Sequence, residues 1–408
     1  MRHAVSIALA LVSVACGAAG LSGSASPTSS AQTPSAQTPS SLPAYPQPPY
    51  PSAASAARTE PGASPTPCSS PGPPSPLSPV STSDRILALA KLSGSNSLVV
   101  RDITDINHPS TATTVDLEAN RAIFVGPSQL SAPSAQGLDL MPLSGNPKRT
   151  VVSWCGGIWQ YAWSADGTLL TYVVESGFPQ SGPPWTLDWH LVAGGADRLI
   201  GHGAPSCHCD GEHDLHYSFD LAFSPDGRYV SMVEDIPGGT DMQVRRLDGT
   251  LVSEIGSNSF NPAPQDFTTV GVWDGAGLYF RDSKGVEVWR DGSVAPVLAG
   301  VAWTASAASP AGGQIVYALE GADGLHHPNL LNTKTGAVKT LSTHAGFGYR
   351  YLGPRYLWYA GERNCAAADI CPFGGNVPTG TTYILDIETG IESESRITQV
   401  LDVWPHGL

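Results

Sequence analysis

The chain has 408 residues, 35 acidic and 21 basic side chains, and a formal net charge of −14. That balance excludes a nucleic-acid binder, which needs a basic face for phosphate. It suits a soluble acidic surface with basic or cationic partners.

The N-terminus reads as an export signal. Arg2 precedes a largely apolar run, Ala4 to Ala15, which is too short to span a bilayer as a mature helix. Ser13-Val14-Ala15-Cys16 resembles a bacterial lipobox, with Ser13 where that motif usually has Leu. The resemblance implies that residues 1–15 are removed and that a thioether-linked diacylglycerol on Cys16 holds the protein to the cell membrane, facing out of the cytoplasm. The alternative is an ordinary secretory signal cut near Ala18 or Ala19. On either reading the mature protein leaves the cytoplasm.

Residues 16–80 form a Pro/Ser/Ala-rich tether: Gly17 to Val80 holds sixteen prolines and only two charged groups, Arg58 and Glu60, and the unit AQTPS repeats at 31–40. With almost nothing apolar to bury, such a segment cannot offset the entropy of ordering, and disorder is expected. Extended at about 3.1 Å per residue it would reach on the order of 200 Å.

Residues 81–408 carry the fold. Two stretches, YAWSADGTLLTYVVES (161–176) and LAFSPDGRYVSMVED (221–235), each read as apolar strand, Ser-x-Asp-Gly turn and second apolar strand. Asp-Gly between alternating runs is a hairpin signal, because Gly supplies the positive φ of a tight turn. Repeated hairpins at this spacing point to propeller blades. The pair resembles the WD40-like repeats of TolB-type β-propellers, whose signature is an aromatic residue followed by Ser-Pro-Asp-Gly; the first copy has Ala165 in place of Pro.

First-strand anchors at Phe124, Trp163, Phe223, Trp273, Ala308 and Tyr351 give six blades. Turns between third and fourth strands fall at Gly194-Gly195, Asp248-Gly249, Asp291-Gly292, Thr335-Gly336 and Thr389-Gly390. Arg85 to Leu117 supplies three strands without an innermost one, and Val400 to Trp404 is a strand without followers. Joined, they complete a blade and close the ring. The expectation is an all-β, single seven-bladed β-propeller, or six or eight blades if residues 121–154 divide differently.

In an up-and-down blade the first-to-second and third-to-fourth turns share one face, and here they are expected to be uniformly tight. The second-to-third loops and inter-blade connections share the other, and there the long segments gather: 176–184, 201–217, 236–240, 256–265, 321–328 and 361–380. Long loops on a rigid scaffold are where binding residues sit. Candidates on this rim are His208, His213 and His216 within HGAPSCHCDGEHDLH (202–216), and Trp185 and Trp189, which could stack on a sugar or peptide. The competing reading of the two tryptophans is packing between blades.

With Cys16 lipidated, six cysteines remain, an even number that outside the cytoplasm suggests bridges. Cys365 with Cys371 would staple one long loop, stabilising by roughly 2 kcal/mol. Cys155 lies near Cys207 and Cys209 on the same rim. The Cys/His spacing matches no zinc pattern, so no metal and no cofactor are expected. The chain lacks Gly-x-Ser-x-Gly, and the Ser-x-Asp-Gly aspartates read as turn formers rather than catalysts. The function expected is a monomeric binding or scaffolding module for an envelope protein, peptide or glycan, touching the membrane only through its lipid. The alternative is a hydrolase or lyase acting on envelope or extracellular polymers.

Overall fold

The computed structural model describes residues 74–80, 83–91, 97–115, 121–145, 147–154, 158–176, 186–202, 219–236, 239–256, 271–275, 277–282, 284–301, 303–341, 343–366 and 376–406. Among them it is all-β. β1 (Leu87–Lys91), β2 (Leu98–Asp102) and β3 (Ser110–Val115) come first, as three strands of blade I. Blade II is β4 (Ile123–Phe124), β5 (Gln129–Ser134), β6 (Gly137–Pro142) and β7 (Arg149–Ser153). Blade III is β8 (Ile158–Trp163), β9 (Leu169–Ser176), β10 (Thr186–Ala193) and β11 (Ala196–His202). Blade IV is β12 (Phe219–Phe223), β13 (Tyr229–Ile236), β14 (Gly239–Arg246) and β15 (Leu251–Gly256). Blade V is β16 (Val272–Asp274), β17 (Gly277–Asp282), β18 (Gly285–Arg290) and β19 (Ser293–Ala299). Blade VI is β20 (Thr304–Ala308), β21 (Gln314–Glu320), β22 (His326–Asn332) and β23 (Val338–Thr340). Blade VII is β24 (Gly346–Leu352), β25 (Tyr356–Asn364), β26 (Asn376–Asp386) and β27 (Glu392–Glu394). β28 (Val400–Trp404) returns to blade I, pairing antiparallel with β1 from Leu87↔Trp404 to Ala90↔Val400. The seven-bladed count holds, and residues 121–154 contribute one whole blade.

Alternation explains the ring. On β9, Leu170, Tyr172 and Val174 pack toward blade II, while Val173 packs toward blade IV. On β21, Val316 and Ala318 face blade VII, and Ile315 and Tyr317 face blade V. Second strands are thus buried on both sides, which is why they read as continuous apolar runs. The result is an apolar core at each of the seven seams, including the one between blades VII and I, so the ring is closed. At two seams the anchor tryptophan adds a directed bond. Trp163 Nε1 donates to Ser131 Oγ of blade II, and Trp273 Nε1 to Ser231 Oγ of blade IV, both at 2.9 Å.

The Ser-x-Asp-Gly aspartates are turn formers. Asp166 Oδ1 accepts from Thr168 N and Ser164 Oγ; Asp226 Oδ1 accepts from Arg228 N and Ser224 Oγ. Blade VI keeps the turn, with Gly312 at φ 69° against 71° for Gly167, but has Ala311 where the carboxylate belongs. The missing acceptor comes from blade V: Asp274 Oδ1 takes the Gly313 N–H at 2.8 Å, and Asp274 Oδ2 accepts from the Thr333 hydroxyl. Bonds to a charged acceptor contribute about 1.5–3 kcal/mol, so Asp274→Ala should lower stability by that order. Ala311→Asp should then change sign with background. It should restore stability to Asp274→Ala in urea denaturation, yet destabilise the parent by bringing two carboxylates together. Identical effects in both backgrounds would remove the substitution in trans.

Three sequence expectations need correction. Residues 74–80 do not belong to a disordered tether. Ser75 N donates to Val151 O at 2.9 Å and Ser75 Oγ to Thr150 O at 2.8 Å, covering the outer edge of β7. Arg149 Nη1 donates to Pro76 O, Val80 N donates to Asp166 O, and Val80 fills a notch left by two turn glycines. A Cβ on Gly126 or Gly167 would stand 2.6 Å from Val80 side-chain atoms. The compositional argument missed this because a few backbone bonds and one valine, set against a preformed ring, order a segment that cannot fold by itself.

The second correction concerns the loops. Ile236 and Gly239 already pair as the ends of β13 and β14, residues 326–328 pair with β21, and Glu362, Arg363 and Asn364 pair with Pro378, Val377 and Asn376, so these described parts of the expected loops are strand. The third is that the turn face is not uniformly tight, since Ile103–Pro109 separates β2 from β3.

Candidate functional site

The loop face is described best between blades VI and VII. There β25 and β26 run past the body of the blade as a hairpin arm, paired through Glu362↔Pro378, Arg363↔Val377 and Asn364↔Asn376. A register shift between Ala360 and Glu362 marks its base, where a bulge bends and re-aims a strand. The arm leans on the β21–β22 turn: Asn376 Nδ2 donates to Gly324 O at 2.8 Å and Asn364 Nδ2 to Asp323 O at 3.1 Å. Cys365, at the end of the described arm, is disulfide-bonded.

Under the arm lies the most enclosed polar pair of this face. Glu362 is 9% exposed, and its carboxylate accepts from His326 Nδ1 at 2.9 Å and from His326 N at 2.9 Å. Asp323 beside it accepts from His327 Nε2 and from Leu325 N. The carboxylate bond lifts His326 above its ordinary value, with Glu320 adding to it. Burial works to raise Glu362, but the bonds from His326 outweigh it and hold the carboxyl below its ordinary value. Among the described residues no three His, Cys, Asp or Glu converge on a position for a metal ion.

The pair has a pH signature. A raised His contributes fully below its unfolded value near 6.5 and loses that contribution as pH rises through its folded value. A lowered Glu contributes above its unfolded value near 4.5 and loses it as pH falls. The arm is therefore held most firmly between about 4.5 and 6.5. Hydrogen-exchange protection of the Asn376 and Val377 amides, relative to their intrinsic rates, should fall above that window, and Glu362→Gln should flatten the profile. A profile unchanged in Glu362→Gln would count against the pairing as its source.

The central channel holds a second feature. Asp220, on the innermost strand β12 of blade IV, is raised to about 6, because burial disfavours its charge. Arg350, on innermost β24 of blade VII, acts in the opposite sense, as does the Leu221 amide. Blades IV and VII stand across the ring, so the two charges address each other through the channel.

The rim residues named from sequence fare differently. Trp189 is fully enclosed, its Nε1 donating to Thr171 Oγ1 at 2.6 Å and its ring 5.7 Å from the Arg245 guanidinium. It packs the seam between blades III and IV and is corrected from rim to core. Trp185, His208, His213, His216, Cys155, Cys207, Cys209 and Cys371 lie outside the described residues, as do Cys16 and the signal. Sequence reasoning missed Glu362, His326 and Asp220. His326-His327 and Glu362 both fall in expected loops, 321–328 and 361–380, but nothing local pairs them; Asp220 borders a strand pattern that hides it.

No protein-family model matches the chain, and no curated protein matches it in sequence. Similar solved structures include TolB from Acinetobacter baumannii, at 14% identity and TM-score 0.38, covering 78% of this chain and 65% of that one. A puromycin-hydrolysing peptidase of Mycobacterium tuberculosis is 12% identical with TM-score 0.49, covering 81% and 56%. An oligogalacturonate lyase in complex with manganese is 12% identical with TM-score 0.46, covering 82% and 86%. The chain thus spans less than two thirds of the TolB and peptidase chains. These likenesses concern fold, and the blade topology by itself gives the conclusion they accompany: this is a seven-bladed β-propeller.

Proposed function

We propose that the protein is a lipid-anchored, extracytoplasmic propeller that binds a protein, peptide or glycan of the cell envelope through its loop face. The observation that carries this reading is one-sided elaboration. The β25–β26 arm rises on that face, and the β9–β10, β11–β12 and β15–β16 connections leave from it. On the opposite face the longer segment is Ile103–Pro109 between β2 and β3, and Val80 is seated there against Gly126 and Gly167. Extra length in a surface loop costs little, so length alone says nothing; its concentration on one rim is what supports docking there. Anchoring rests on Cys16 and the apolar run before it.

Two experiments test the reading. Palmitate labelling and detergent partition should be lost in Cys16→Ser, and labelling that persists there ends the lipoprotein reading. Photo-crosslinkers placed at Asn364 and Asp323 should capture one envelope component reproducibly, whereas probes at Asp248 and Asp291 on the turn face should not. Equal capture from both faces would overturn the docking surface.

Asp220 favours a second reading, a hydrolase or lyase acting on envelope or extracellular polymers. A carboxyl raised to about 6 in the channel is suited to exchange protons near neutral pH. Turnover of such a polymer that vanishes in Asp220→Asn would replace the binding reading.

A further inference from the structure

Away from the loop face, a cleft of about 420 Å³ opens at the seam between blades VII and I, lined by Arg101, Asn107, His108, Pro109, Arg396 and Ile397. Its polar lining consists of two guanidiniums, an imidazole and a carboxamide, with no carboxylate among them, in a chain of net charge −14. Three other exposed arginines sit on acids, Arg85 on Asp102, Arg228 on Asp226 and Arg355 on Asp386. Arg396 meets no acid within ion-pair distance among the described residues.

The cleft is also held in shape. Ile397 is buried; its N–H donates to Ser395 Oγ, and its carbonyl accepts from Trp358 Nε1 at 2.9 Å and Thr382 Oγ1 at 2.8 Å. The turn carrying Arg396 is therefore pinned on the side facing the core, leaving its side chain to the cleft. On the other wall, the β2–β3 register shifts between Val100 and Arg101, and Arg101 Nη1 donates to Thr111 Oγ1 at 2.5 Å. That bond fixes one nitrogen of the guanidinium. Asp105 is the nearby acid, and its oxygens are engaged. Oδ2 pairs with His108 Nδ1 at 2.9 Å and Oδ1 accepts Asn107 N at 3.0 Å, so it braces the loop.

We propose that this cleft binds an oxyanion, a phosphate or carboxylate group, between Arg101 and Arg396, with the Asn107 carboxamide as a further donor. Guanidinium forks match the geometry of both groups. Pro109 and Ile397 form an apolar floor that suits an anion carried on a small organic body. The site is independent of the loop-face reading and stands or falls without it.

Saturation is read by calorimetry and thermal shift with sodium phosphate and with sodium glucuronate, each against sodium chloride of equal ionic strength. The expected result is one saturable site at millimolar affinity for at least one of the two, weakened about tenfold in Arg396→Ala and in Arg101→Gln. Arg396 is exposed, so Arg396→Ala should melt like the parent when no anion is added. Binding of phosphate alone assigns a tetrahedral anion, and of glucuronate alone a carboxylate. No saturable binding of either, or saturable binding that both variants leave unchanged, overturns the site.

Discussion

Removing residues 398–408 should abolish cooperative unfolding. The truncation deletes β28, the innermost strand of blade I, with Val400, Val403 and Trp404 each about 6% exposed. Burial of each contributes about 1.5–3 kcal/mol, and the sum approaches the total stability typical of a domain, 5–15 kcal/mol. The damage extends beyond area. β1 loses its partner and exposes an unpaired edge, and the cores at two seams, VII–I and I–II, open together. Asp402 Oδ2 accepts Phe124 N at 2.7 Å, and His406 Nε2 bonds Phe124 O at 3.0 Å, so the tail also fastens blade I to blade II. A soluble truncation with an unchanged melting transition would mean that the closing strand contributes nothing.

A milder form of the same prediction is pH-dependent. Burial opposes charge on His406, but Asp402 and the Phe124 carbonyl outweigh it and hold the imidazole up to about 9. Its contribution is complete below the unfolded value near 6.5 and is lost as pH rises through about 9. Melting temperature should decline across that window, and His406→Gln should remove the slope.

Trp189→Ala should cost about 3–5 kcal/mol, the range for deleting a fully buried large aromatic. Trp189 sits between blades III and IV with Leu187, Leu191 and Met232, and its loss leaves a cavity and takes one donor from the Thr171 hydroxyl, which still donates to His190 O. Urea denaturation at constant m-value measures the change. Trp189→Phe should fall between parent and Ala, and neither variant should alter crosslinking at Asn364 while the protein remains folded. Loss of crosslinking at full stability would return Trp189 to the binding surface.

Much of this molecule is set by local sequence. Asp166-Gly167 and Asp226-Gly227 dictate turns because Gly admits φ near 70° and Asp bonds the amide two residues on. Alternating apolar residues make strands whose two faces must both be covered, and a run buried on both sides requires a neighbouring blade on each. The unmatched strands at 87–115 and 400–404 could satisfy their edges only through each other, so ring closure and the blade count are legible in the amino-acid sequence.

The tertiary structure decided where residues from different blades meet. Nothing local to Gly313 states that its acceptor is Asp274, thirty-nine positions away. The same holds for Glu362 meeting His326, and for Asp402 meeting Phe124. Hydrogen-bond partners across a seam depend on the height and rotation of one blade against the next, which seven packed cores determine jointly. For the same reason Trp189, written in an alternating strand beside a loop, went to the core, and a proline-rich segment without apolar mass of its own became ordered where Val80 found two glycines.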